Sequence, residues 1–307
     1  MNALRARWII FLIVLILMGN CSGEEGAKSG VSVWGSRGKQ PGRFGTPRAI
    51  LARQGAVFVI DRTGRVQKFD EEGAFILQWT LEKIDNGTPT GLAVDAAGDV
   101  WIPDTHNSRI LHYRNDGTFV SSFGEYGKEP GKFIFPTDMT FGDQGELFIA
   151  EYGEIDRIQV FTPEGNYLRG WGEYGSGEGQ FNRAMGIVKA YDSLLYIADS
   201  VNDRVVVCSQ AGEFVRQFGH KGSGKGELSF PYGIDADEEG NIYVCEYGNN
   251  RLHKFSPTGQ SLGTWGRLGG AVGELAQPWG VAVDKGKVFA ADSKNHRIQV
   301  VSTKAFD

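Results

Sequence analysis

An aromatic residue closes a short apolar run six times along this chain, at Trp34, Trp79, Phe123, Trp171, Phe218 and Trp265, at spacings of 45, 44, 48, 47 and 47 residues. A unit of that length, built of short β-branched and aromatic runs without helical periodicity, cannot bury its own faces. It must stack on copies of itself, as the blades of a propeller do. Four strand-sized pieces fit in each period. In the second repeat they are residues 92–95, 99–103, Arg109–Tyr113 and 118–123, separated by Ala96-Ala97-Gly98, a loop over 104–108 and Asn115-Asp116-Gly117. Glycine accounts for 44 of 307 residues, about twice the usual share. With no Gly-X-Y period, these glycines are assigned to turns between strands.

The blade number follows by counting. After Trp265 the chain supplies three further strands, and Val31–Trp34 supplies a fourth ahead of the first full repeat. The expected fold is an all-β, six-bladed propeller of four-stranded antiparallel blades over residues 31–307. The N-terminal strand completes the last blade, so no open sheet edge is left at the closure. The recurring Trp/Phe is read as packing between blades, because an aromatic ring buries roughly 150–250 Å² and one stands at the same place in every repeat.

A second column repeats as faithfully. An acid follows each second strand and an arginine opens each third: Asp61/Arg65, Asp104/Arg109, Glu151/Arg157, Asp199/Arg204, Glu246/Arg251 and Asp292/Arg297. Six copies of both charges indicate a loop clamp, since a cation site needs unpaired ligands. Cys208 stands where other repeats have Phe69, Tyr113, Phe161 and Phe255, and Cys245 where they have Ala150, Ala198 and Ala291. Both are read as small buried residues on strands of different repeats, with no disulfide.

The last repeat reads Pro278-Trp279-Gly280-Val281-Ala282-Val283-Asp284, then Ala291-Asp292-Ser293-Lys294-Asn295-His296-Arg297-Ile298-Gln299-Val300. These segments resemble the NHL-repeat family. The resemblance implies the propeller fold and leaves function wide, because that scaffold carries unrelated activities. One branch is a peptide-amidating lyase that uses histidines and metal ions at its channel. Related six-bladed hydrolases hold calcium there, and some NHL domains bind RNA.

The N-terminus reads as an export leader. Arg5 and Arg7 precede an apolar stretch over 8–18, too short to span a bilayer, and Cys21 follows. The segment resembles a bacterial lipobox, with Asn20 where Gly, Ala or Ser is usual. Residues 1–20 are thus expected to be a signal peptide, Cys21 the lipidation site and 21–30 a flexible tether. Removing residues 1–20 takes away two arginines and no acids, leaving 30 basic against 37 acidic residues, a net charge of −7. That balance disfavours nucleic acid as partner.

A ligand is sought where the blades differ, at the start of each first strand. The second and third positions there run Arg48-Ala49, Thr90-Gly91, Thr137-Asp138, Met185-Gly186, Tyr232-Gly233 and Trp279-Gly280, with Arg183 just before the fourth. Arg48, Thr90, Asp138, Arg183, Met185, Tyr232 and Trp279 are therefore expected to line the mouth of the axial channel. The alternative is that Asp138 merely pairs with Arg48 or Arg183. The five histidines, at 106, 112, 220, 253 and 296, fall at different registers and do not form a three-histidine zinc site. No catalytic residue, metal ligand or cofactor motif is assigned. The expected function is a monomeric binding, scaffold or sensing propeller, exported and lipid-anchored in the cell envelope (periplasmic or cell-surface face), with a protein, peptide or glycan as partner. The alternative is a metal-assisted lyase or hydrolase with its site in the axial channel.

Overall fold

The computed structural model describes residues 30–306. The leader, Cys21 and all of the tether except Gly30 lie outside the described residues. Six four-stranded antiparallel sheets follow one another around an axis, and no α-helix occurs among the described residues. The first blade consists of Pro47–Arg53, Ala56–Asp61, Arg65–Asp70 and Phe75–Thr80. The innermost strands of the next four are Ala93–Val94, Phe135–Phe141, Ala184–Lys189 and Pro231–Ala236. The sixth blade has Val281–Asp284, Lys287–Asp292 and Arg297–Ser302, and its outer strand is Val31–Trp34, with Val31 opposite Val301 and Trp34 opposite Ile298. The ring is closed as the count of strands required.

The aromatic column packs blade on blade. Trp34 lies 4.6 Å from Phe69, Trp79 5.6 Å from Tyr113, Phe123 5.3 Å from Phe161 and Phe218 4.9 Å from Phe255, all as ring-centroid distances. In the fourth blade the partner ring is replaced by buried Cys208, which shares a core cluster with Trp171. Cys208 and Cys245 are both buried free thiols. A glycine of the next blade's outer turn lies against Trp34, Trp79, Phe123, Trp171 and Phe218. At Gly259, for example, φ is +86° and a Cβ would come within 2.6 Å of Phe218. Both the left-handed backbone and the close ring exclude a larger residue there.

All six clamps form, with N···O distances of 2.5–2.8 Å and every acid buried. Each arginine also donates to the carbonyls of the loop that enters its blade. Arg204 reaches Ser176, Gly177 and Gln180 at 2.7–3.0 Å, and Arg65 reaches the carbonyls of Gly38, Lys39, Gln40 and Arg43. The clamp therefore fixes two loops at once. Gln67, Gln159, Gln299 and His253 share one slot beside it. His253 is wholly buried, between Glu246 Oε1 at 3.0 Å and Ser261 Oγ at 2.7 Å, which accounts for this histidine without a ligand.

Candidate functional site

The start of the innermost strand decides which side chains meet. Its ladder is interrupted between Pro47 and Ala49, Pro136 and Asp138, Ala184 and Gly186, and Pro231 and Ile234. One residue or more is unpaired at each break, as in a β-bulge, which re-aims a side chain. Arg48, Met185 and Tyr232 fall in these breaks. In the first, third and fourth blades the following residue, Ala49, Asp138 or Gly186, returns to the ladder, and Asp138 lines the channel.

The seven expected residues accordingly separate. Arg48, Arg183, Tyr232 and Trp279 gather at the mouth. The Arg48 guanidinium lies 4.6 Å over the Trp279 ring, and Tyr232 lies 4.8 Å from Trp279. Arg183 lies 5.1 Å over Tyr152 and 5.9 Å from Tyr232. Thr90 and Asp138 line a cavity of about 290 Å³ along the axis, walled by the innermost strands. Met185 is buried, at 4 % exposure, and presents little surface to a ligand.

Asp138 does not form an ion pair with Arg48 or Arg183. Its Oδ2 accepts the Ile187 backbone N–H at 3.0 Å. Burial pushes its pKa up to about 8, against the backbone N–H donors that favour the charged form, and Asp235 adds to the rise. A carboxyl in this state ties neighbouring blades together more readily than it attracts a cation.

Arg183 is held by its backbone. Its φ is +66°, and its N–H donates to Asp156 Oδ1. The same left-handed step precedes the innermost strand at Phe230 and Gln277, whose N–H groups donate to Asp203 at 2.8 Å and Asn250 at 2.7 Å. The backbone device is a feature of the repeat, while the arginine side chain is particular to the fourth blade. Burial raises the Asp156 pKa to about 6.

Sequence reasoning missed Tyr152 and Tyr247. Tyr247 stacks 4.8 Å from Tyr232 and lies 5.6 Å from Trp279. Both tyrosines directly follow a clamp acid, in a column that reads Arg62, Thr105, Tyr152, Ser200, Tyr247 and Ser293. That column varies as the mouth positions do, which was the available signal. His106, in the same loop of the second blade, is half-buried and its pKa is lowered by burial and by Arg48. Burial and the charge of Arg62 likewise lower that of Arg48.

Comparison with known families identifies the repeat. The family described as NHL repeat matches residues 87–113 and 275–301, and one described as 6-bladed beta-propeller matches residues 181–265. The chain carries NHL repeats. Segments of this NHL propeller are similar to Protein brain tumor of Drosophila melanogaster, with 30% identity over 106 residues, 34% of this chain and 10% of that protein. They are also similar to Peptidyl-glycine alpha-amidating monooxygenase A of Xenopus laevis, with 37% identity over 89 residues, 26% of this chain and 9% of that protein. The matched segments thus span about a tenth of either relative. Among solved structures, virginiamycin B lyase from Staphylococcus aureus superposes with a TM-score of 0.60 at 14% identity, covering 89% of this chain and 98% of that one. At that identity the likeness is one of fold.

One further cluster was not foreseen. Asp95, Asp99 and His112 bring ligand atoms within 4.8 Å of one another at the turn after the second blade's innermost strand, away from the mouth. Asp95 closes its own turn, accepting the N–H of Ala97 and Asp99, and also accepts Trp101 Nε1–H at 3.0 Å. In the fifth blade, Asp237 makes the same bonds with Asn241 and Tyr243, so this turn belongs to the repeat.

Proposed function

We propose that this chain is an exported, lipid-anchored binding propeller that presents its Arg–aromatic mouth to a protein, peptide or glycan of the cell envelope. The observation that carries this reading is the state of Arg48 and Arg183. Both guanidiniums are stacked on aromatic faces, and neither has a carboxylate partner among the described residues. Six other arginines are consumed by clamps. Two charged, half-buried groups held ready beside tyrosines and a tryptophan make a polar site with an apolar wall. The leader and Cys21 support an envelope address.

The reading is tested by cross-linking from envelope fractions, comparing the full chain with an Arg48→Gln, Arg183→Gln, Trp279→Leu variant. Capture of a discrete partner by the first and its loss in the second is expected. Equal capture by both, or Cys21 left unlipidated in cells, would overturn the corresponding half of the proposal.

The second reading, a metal-assisted lyase or hydrolase in the axial channel, draws on the segments shared with the amidating monooxygenase. Among the described residues, the cavity wall supplies the carboxylates of Asp138 and Asp235 and no imidazole, and Asp235 is paired with Arg53. Stoichiometric zinc or calcium in the purified protein would favour this reading over the first.

A further inference from the structure

We infer that the mouth takes a carboxylate carried on an apolar or aromatic body, such as the end of a peptide chain or a free aromatic acid. This rests on the reading of the mouth as the binding face.

The argument begins from donor satisfaction. A guanidinium has five N–H donors in a rigid plane. Every clamp arginine bonds a carboxylate and at least one loop carbonyl; Arg204 bonds Asp199, Gln217 and three loop carbonyls, and even Arg109 bonds Asp104 and the Glu82 carbonyl. At the mouth the contrast is sharp. Arg48 makes one weak bond, from Nη1 to Thr88 Oγ1 at 3.4 Å. The Arg183 side chain makes none among the described residues, and the Nε–H groups of both are buried without an acceptor. Both side chains are half-buried. Polar groups left unpaired in such places are costly to a fold unless something else pairs with them.

The stacking then selects the ligand. The guanidinium carbon of Arg48 sits 4.6 Å over the Trp279 ring and that of Arg183 5.1 Å over the Tyr152 ring, and neither ring supplies an acceptor for the in-plane N–H groups. The edge of a guanidinium offers two parallel N–H groups, which fit the two oxygens of a planar carboxylate. Tyr232 links the two arginines through rings, 5.9 Å from Arg183 and 4.8 Å from Trp279, over which Arg48 lies. Beside the arginines the accessible ring surface of the wall is that of half-buried Trp279 and Tyr247, with buried Tyr232 packed against both. That wall suits an apolar body behind the anionic group. A bare phosphate would set several strongly hydrated oxygens against ring faces, where little replaces the lost water.

Calorimetric titration of the full chain is the test. The probes are N-acetyl-Ala-Phe as free acid, the same dipeptide as carboxamide, phenylacetate and inorganic phosphate. The free acid is expected to bind at least ten-fold more tightly than the carboxamide. Arg48→Gln and Arg183→Gln should each weaken it by ten-fold or more, with unchanged melting temperatures. A phenylacetate affinity equal to that of the peptide acid would identify free acids as the source, and a much weaker one would identify peptide ends. Equal binding of acid and carboxamide, or phosphate binding tighter than either acid, would overturn the inference. The comparison on the unsubstituted chain decides the matter even if a variant fails to fold. Envelope capture that depends on the mouth, with no acid probe bound, would refute this inference and leave the binding role intact. Loss of both would refute both.

Discussion

Arg53 and Asp235 meet in a two-point ion pair, Nη2 to Oδ1 at 2.6 Å and Nη1 to Oδ2 at 3.1 Å, although they belong to the first and fifth blades. Both also bond the sixth blade: Arg53 Nη1 donates to the Val283 carbonyl at 2.8 Å, and Asp235 Oδ2 accepts the Val283 N–H at 2.7 Å. The pair therefore straddles the one blade assembled from both ends of the propeller. Asp235→Asn should destabilise the fold by roughly 2–4 kcal/mol, less than a fully buried pair would, because Arg53 is 34% exposed. Urea denaturation measures this, and a change under half a kcal/mol would refute the bracing role.

The clamps are more deeply buried, with the Asp199 side chain at 0% and Arg204 at 6% exposure. Arg204→Met strands a buried carboxylate and several loop carbonyls, and should cost about 3–5 kcal/mol. Arg204→Lys should recover only a small part of that, because an ammonium cannot make the same planar set of bonds. A lysine variant as stable as the parent would show that charge alone suffices.

Asp138 should leave a mark on the pH dependence of stability. Its folded pKa, near 8, lies above the unfolded value, so its contribution is fully present below about pH 4 and lost as pH rises through 8. Asp138→Asn resembles the neutral form and should flatten the decline between pH 5 and 9, making the variant relatively more stable at the alkaline end. Superimposable profiles for parent and variant would contradict this. Asp156, at about 6, adds a decline of the same sign that ends lower, so the comparison at pH 7–9 isolates Asp138.

Two glycines separate backbone strain from ring contact. Gly259 and Gly145 have similar φ, +86° and +82°, but a Cβ at Gly259 meets Phe218 at 2.6 Å while nothing lies within 4 Å at Gly145. Gly145→Ala should cost about 1 kcal/mol and Gly259→Ala about 2–4 kcal/mol. Equal losses would mean that the ring contact is easily relieved.

The two described thiols should be inert. Burial pushes the Cys208 pKa up to about 11 and holds that of Cys245 well above the ordinary thiol value. In a Cys21→Ser chain, a thiol reagent at pH 8 should modify neither until denaturant is added. Rapid reaction of either under native conditions would place it at an accessible site.

The architecture was legible because it is written six times. A period near 47, an acid and an arginine at fixed places, and a missing strand at one end with a spare at the other leave one way to bury every sheet face and edge. Repetition averages out local irregularity, so the strands, clamps and aromatic column could be read without knowing any contact. The site is the reverse case, made from the positions that do not repeat, and each of those was a single residue without a copy to interpret it. Tyr152 and Tyr247 escaped for that reason, although their column varied in plain view. What only the tertiary structure decided is the direction of each side chain. The break in pairing at the start of the innermost strand turns Arg48 and Tyr232 toward the mouth and returns Asp138 to the channel wall, and a ladder irregularity of one or two residues is set by packing between blades rather than by the identities of the residues it displaces.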